Sequence, residues 1–180
     1  MANVDPIKSR ADIKKVEKIL MQGSYRNYMM FKIGINLGLR ISDMLKLNVK
    51  DVKNKDFINI IEQKTKKKRC IPINQTIKEI IKKYTLDKGE NMPLFPGINF
   101  TRLSRITAYR IIHDACKKAN IKGNFGTHTL RKTFGYHFYK KFKDIAMLQK
   151  ILNHSHPSTT LRYIGIEQEE IYRHYRLFVL

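Results

Sequence analysis

Apolar positions recur every three to four residues along most of this chain, in blocks separated by glycine, proline or polar clusters. In the first block Ile13, Val16 and Leu20 share one helical face. Ser9 followed by Asp12 opens the run as a helix start, and Gly23 closes it. Residues 25–37, YRNYMMFKIGINL, are apolar on most sides, which predicts a helix buried near the middle of a domain. Gly38 punctuates that block, so Arg40 falls just past a helix end, and a short helical segment follows at about 42–47.

The period then changes. FINIIEQ and RCIPIN are β-rich runs joined by KTKKK, and the economical reading is a hairpin with a lysine-crowded turn. Helical spacing resumes after Asn74, a candidate cap, with Ile77, Ile80, Ile81 and Tyr84. LDKGENMPLFPGINF reads as a loop. From Ser104 to about Ala119 another helix turns Ile111, Ile112, Ala115 and Ala119 inward, and IKGNFG breaks it. Thr127 can cap a helix with His128, Leu130, Arg131 and Phe134. Asp144 can cap one with Ile145, Leu148, Ile151 and Leu152. In KILNHSHPSTTLRYIGI, Ser155 can cap and Pro157 begin a short helix that starts after His154 and ends near Tyr163. A terminal helix follows. The pattern predicts an α+β fold, mainly α, with one small antiparallel sheet, in a single domain over residues 1–180.

Composition adds a partner to this picture. Lysine and arginine total 36 against 15 acidic residues in 180, a formal charge of +21, so a polyanion, above all nucleic acid, is the leading partner. No stretch approaches the roughly 20 apolar residues of a membrane span, and MANVDPIKSR has no apolar signal core. The expected setting is the cytoplasm, at a bacterial nucleoid or in a phage-infected cell, with no membrane partner. Cys70 and Cys116 lack metal spacing and read as small packing residues.

Several chemistries find no residues to carry them. His154 and His156 stand without a cysteine or carboxylate set at zinc-ligand spacing. Asp43 and Asp51 do not make a two-metal pair, and Glu167, Glu169 and Glu170 read as solvated residues early in the terminal helix. Neither a GxxxxGK[ST] nor a GxGxxG cradle occurs. No metal or cofactor is expected. What remains is a set of cations and one phenol: Arg40, the hairpin lysines, His128 and Arg131 in HTLR, His154, and Tyr163. Singly each has an ordinary explanation: Arg40 as a helix C-terminal cap, Tyr163 as a core aromatic.

Taken in order, Arg40 in GLRISDML, Lys64 on a hairpin, HTLR, LNH and a tyrosine nine residues on resemble the catalytic domain of tyrosine recombinases, the phage integrase family, across essentially the whole chain. The resemblance implies a DNA breaking-rejoining fold and a site-specific recombinase with a 3′-phosphotyrosyl intermediate, serving integration or excision of a mobile element. Two positions depart from the family pattern. Asp43 stands where glutamate is frequent, and Asn153 precedes His154 where glycine is common. Lys64 is chosen over Lys66, Lys67 and Lys68 because EQKT directly follows the first strand. Those three lysines and Arg69 are read as DNA-binding.

The implied chemistry needs these residue types. An unperturbed phenol has a pKa of about 10, so roughly one molecule in a thousand is phenolate at neutral pH. Arg40 and Arg131 would clamp the non-bridging phosphate oxygens, with His154 a third donor. Lys64 would protonate the departing 5′ oxygen, His128 would assist proton transfer from the phenol, and Asp43 would orient His128 or Arg131. The resemblance further implies a monomer in solution that becomes a homo-tetramer on two duplexes, with accessory DNA-bending or directionality proteins. The apolar end, Leu177 to Leu180, docks on a neighbouring subunit or packs on its own core. The chain begins almost where the family's catalytic domain should, so an N-terminal DNA-binding domain is expected to be missing and the chain to be an excised fragment. Alternatives are a type IB topoisomerase-like nicking and rejoining enzyme and a basic DNA-binding protein without catalysis.

Overall fold

The computed structural model describes residues 4–179, and within them all side chains but those of Gln168 and Glu169. The elements are α1 (Arg10–Gly23), α2 (Tyr25–Leu37), α3 (Ile41–Met44), β1 (Phe57–Ile61), β2 (Lys68–Pro72), α4 (Gln75–Thr85), α5 (Arg105–Lys118), α6 (Thr127–Phe142), α7 (Ile145–Leu152), α8 (Pro157–Ile164) and α9 (Glu167–Leu177). The fold is α+β and mainly helical. Its antiparallel two-stranded sheet pairs Ile58 with Ile71 and Ile61 with Lys68. None of the described helices is long and apolar enough to cross a membrane.

Four helix starts have side-chain caps, three of them, Ser9, Asn74 and Asp144, read from the sequence. Ser9 accepts from Asp12 N, Asn74 from Ile77 N, Ser104 from Thr107 N and Asp144 from Met147 N, each satisfying a donor with no partner inside the helix. Two starts differ. Thr127 is the first residue of α6 and the cap is Gly126, whose N–H donates to the Thr129 hydroxyl at 3.0 Å. The cap of α8 is His156, not Ser155. The short helix after Arg40 ends at Met44, earlier than its apolar pattern suggests.

The interior is two clusters. The larger joins α1, α2, α4 and α5 to the inner face of the hairpin, with Val16, Phe31, Ile58, Ile77, Ile112 and Leu130 all but fully buried. The smaller consists of Tyr136, Leu148, Leu152, Ile164 and Ile166. Helix α6 serves both, through Leu130 in its first half and Tyr136 in its second. Helix α8 lies close against α6 because Gly135 faces it. A Cβ there would stand 2.7 Å from Ile164 Cγ2, well inside van der Waals contact.

Other expectations are corrected. Cys70 is exposed, since a two-stranded sheet has an outer face, whereas Cys116 is buried. Glu170 is buried and ion-paired with Lys143 and Arg173 at 3.2 and 3.3 Å, and Glu167 pairs with Arg162 at 3.4 Å. The Glu169 side chain lies outside the described residues. Leu177, Phe178 and Val179 are exposed and do not pack on the chain's own core, and Leu180 lies outside the described residues.

Candidate active site

The site lies on the seam between the two clusters. Gly38 ends α2 in the left-handed region (φ 59°), turning the chain so that Arg40 begins α3. The Arg40 side chain is mostly covered, and its Nη1 stands 2.7 Å from Glu62 Oε1, an ion pair off the line of a hydrogen bond. Arg131, on α6, is buried. Its Nη1 donates to Gly38 O at 2.6 Å and its Nη2 to Leu152 O at 2.7 Å, so it ties the α2 corner to the end of α7. Burial lowers its pKa to about 10, which still leaves it charged at neutral pH.

His154 follows Asn153, which ends α7 in the left-handed region (φ 49°). Its Nδ1 lies 3.0 Å from the Thr160 hydroxyl, and its ring meets Tyr163 edge to face at 5.0 Å between centroids. Tyr163 is on the last turn of α8. Burial raises its phenol pKa, and the guanidinium charges of Arg131 and Arg40 pull the other way. Burial, then the charges of Arg131, Arg40 and Lys64, lower His154 to about 4. His128 keeps an exposed edge. Its pKa falls through packing of the rest of the ring, then through Arg131, Lys132, Arg40 and Lys64. Lys64 is exposed on the hairpin loop, near enough for its charge to act on both imidazoles. Arg40, Lys64, His128, Arg131, His154 and Tyr163 thus share one electrostatic neighbourhood.

The hairpin residues divide. Lys66, Lys67 and Lys68 are exposed, with Lys66 in the left-handed region at the turn (φ 57°). Arg69 is not a free surface cation: its Nη1 donates to Glu62 Oε1 at 2.9 Å. Asp43 is buried, and its Oδ1 accepts from Gln63 N at 2.9 Å, which anchors the hairpin root. Among the described residues it makes no hydrogen bond to His128 or Arg131, contrary to the role expected for it. Among the described residues no three His, Cys, Asp or Glu side chains gather as a metal-ligand set.

Three contributors were not read from the sequence. Glu62 is fully buried and receives Thr65 Oγ1 at 2.5 Å and Asn153 Nδ2 at 3.2 Å on Oε2, besides the two arginines on Oε1. Lys132 is buried with its Nζ 5.2 Å from the centre of the Tyr163 ring. Thr160, also buried, partners His154. Asn153 is more than a loop substitution for glycine, since it bonds Glu62 and accepts from Lys67 Nζ at 3.3 Å. One sign of Glu62 was available: Ile58, Ile60 and Glu62 alternate onto one face of the strand.

The model of the phage integrase family matches residues 9–170. The chain belongs to that family. Among its relatives, "Probable integrase/recombinase YoeC" of Bacillus subtilis (strain 168) is 50% identical over 176 residues, covering 97% of both chains. A protein named "Tyrosine recombinase" from Pseudothermotoga lettingae is 29% identical over 161 residues, 89% of this chain and 56% of that one. The XerH site-specific recombinase bound to palindromic difH substrate superposes with a TM-score of 0.78 at 21% identity, over 98% of this chain and 54% of XerH, a likeness of fold. This family member therefore spans nearly all of YoeC and little more than half of the other two. Other relatives in the family carry the names "Tyrosine recombinase XerC" and "Tyrosine recombinase XerD".

Proposed function

We propose that this protein cuts and rejoins double-stranded DNA at specific sites through a 3′-phosphotyrosyl bond to Tyr163, in integration or excision of a mobile element. The observation that supports this most is that Tyr163 lies edge-on to His154 and within electrostatic reach of Arg131 and Arg40. These are the groups that a phosphorus centre gaining negative charge requires.

In this reading the Tyr163 oxygen attacks phosphorus, and the bond from phosphorus to the 5′ oxygen breaks. Arg40 and Arg131 neutralise the charge on the non-bridging oxygens. His154, neutral well above pH 4, donates an N–H to them without adding a cation. His128, its pKa also lowered, is neutral and takes the phenol proton. Lys64 gives a proton to the departing 5′ oxygen, which later attacks the phosphotyrosine, releases Tyr163 and restores the phosphodiester. Exchange of partners between two duplexes, on a homo-tetramer, turns two such cycles into recombination.

The test is a nicked suicide duplex bearing the cognate site. The wild type should leave a denaturant-resistant protein–DNA adduct that Tyr163→Phe abolishes. An adduct that persists in Tyr163→Phe would misplace the nucleophile. Tight binding with no adduct would leave a DNA-binding protein without catalysis.

A further inference from the structure

Glu62 is an acid buried in the most basic part of a basic chain. It is 0% exposed, directly after β1, in the hairpin that carries Lys64, Lys66 and Lys67 on its loop and Lys68 at the start of β2. Burial alone would drive such a carboxyl to hold its proton, yet hydrogen bonds from Thr65 and Arg69 and the adjoining Arg40 guanidinium outweigh burial and bring it to about pKa 2. It is therefore charged at every pH at which the chain would work.

Its partners come from separate parts of the chain. Oε1 faces Arg40 at the α2–α3 corner and Arg69 on β2. Oε2 faces Thr65 on the loop and Asn153 at the end of α7. Its backbone closes the lysine loop as well, with Lys66 N donating to Glu62 O at 2.9 Å and Glu62 N to Lys67 O at 3.0 Å. One side chain thus touches the segments of three groups of the proposed reaction: Arg40 directly, Lys64 through its loop, and His154 through its neighbour Asn153. Without the carboxylate, Arg40 and Arg69 would repel each other across a covered space.

We propose that Glu62 is a positioning residue of the cleavage reaction, a buried carboxylate that registers Arg40, the Lys64 loop and the Asn153–His154 step against one another without touching DNA. This rests on the function proposed above. A fixed carboxylate behind Arg40 leaves the opposite face of the guanidinium for phosphate and removes the reorganisation that a loose arginine would need.

Glu62→Gln keeps the shape and part of the hydrogen bonding while removing the charge. Single-turnover cleavage of the suicide duplex at saturating DNA should slow by about 10- to 100-fold, the scale of a displaced catalytic group. DNA binding at the same salt should not weaken, because the protein gains a unit of positive charge. If Glu62 works through Arg40, then Glu62→Gln/Arg40→Ala should cleave no more slowly than Arg40→Ala, within about 2-fold. Asn153→Gly, at a backbone conformation that glycine accepts, should slow cleavage a few-fold, and it decides the question if Glu62→Gln fails to fold.

A wild-type cleavage rate in the folded Gln variant, binding that falls in step with cleavage, or full additivity with Arg40→Ala would overturn the assignment. A wild-type rate in Asn153→Gly would overturn it where the Gln variant does not fold. If the wild type forms no Tyr163-dependent adduct, the functional reading fails separately. Side-chain NMR of the arginines then still decides. Arg40 and Arg69 guanidinium protons should exchange slowly in the wild type and quickly in Glu62→Gln, and equal rates would refute the clamp.

Discussion

The two hydrophobic clusters differ in what they hold. The larger one fixes Arg40 and the hairpin on helices joined by many long-range contacts. The smaller one, five buried residues with a fringe of partly covered aromatics, carries both His154 and Tyr163. Burial scales with the size of the apolar cluster, so the proposed nucleophile, Tyr163, stands on the part of the molecule with less to hold it together. Helix α6 runs through both parts, and side chains tie them together at the seam. Arg131 bridges Gly38 O and Leu152 O, and Glu62 bridges Arg40 and Asn153. In the proposed reaction, the side chains that hold the seam are also those that set the geometry of the site.

The severest break is Arg131→Ala. It leaves two buried carbonyls unpaired and should cost about 2–5 kcal/mol in urea unfolding, besides lowering cleavage by at least about 100-fold. A stability loss under about 1 kcal/mol would show that the seam is held elsewhere. Next is Ile164→Ala, which hollows the small cluster and should cost about 2–4 kcal/mol. Hydrogen exchange should quicken in α7 and α8 while α2 and α4 keep their protection. Uniform quickening would mean that the two clusters melt as one.

Gly38→Ala attacks the seam from the other side. A Cβ at φ 59° is strained and would overlap the Phe134 ring, so a loss of about 1–3 kcal/mol is expected, read as a lower urea midpoint. Acid sharpens the comparison further. The folded pKa of His154, about 4, lies below the ordinary imidazole value of about 6.5, and His128 is shifted the same way. Between those values the unfolded chain binds more protons. Stability from this source is complete above about pH 6.5 and is lost as pH falls toward 4. Glu62 acts in the same direction lower down, from its usual 4.5 to about 2. Urea midpoints at pH 7, 5.5 and 4.5 should fall in that order, and Tyr163 should become accessible to nitration before the large cluster opens. The mildest change, Lys66→Ala, should leave stability within about 0.5 kcal/mol and flatten the salt dependence of DNA binding by roughly one ion.

What was legible in the sequence follows the range of the forces involved. Caps act over three residues, so Ser9, Asn74 and Asp144 announce their helices. Gly126 and His156 begin helices with no side-chain cap of their own. Gly126 lies against the Tyr109 ring, a neighbour supplied by the tertiary fold. The residues around Tyr163 were legible through their types and order, which carry the family resemblance. Glu62 was not, because three of its partners lie 7, 22 and 91 positions away in sequence and only folding brings them together. For Asp43 the residue was recognised and the partner was not: a carboxylate at the start of a short helix found the nearest unpaired backbone donor, Gln63 N, on the adjoining hairpin.

The raised pKa of the Tyr163 phenol has a consequence for the free protein. An oxygen that grips its proton more firmly than it would in water is less often the phenolate that attacks an electrophile. In the proposed reaction its reactivity is drawn out where a proton acceptor and a cluster of positive charges meet a phosphodiester held in line. On the proposed function, restraint is thus built into the same pocket that serves the reaction.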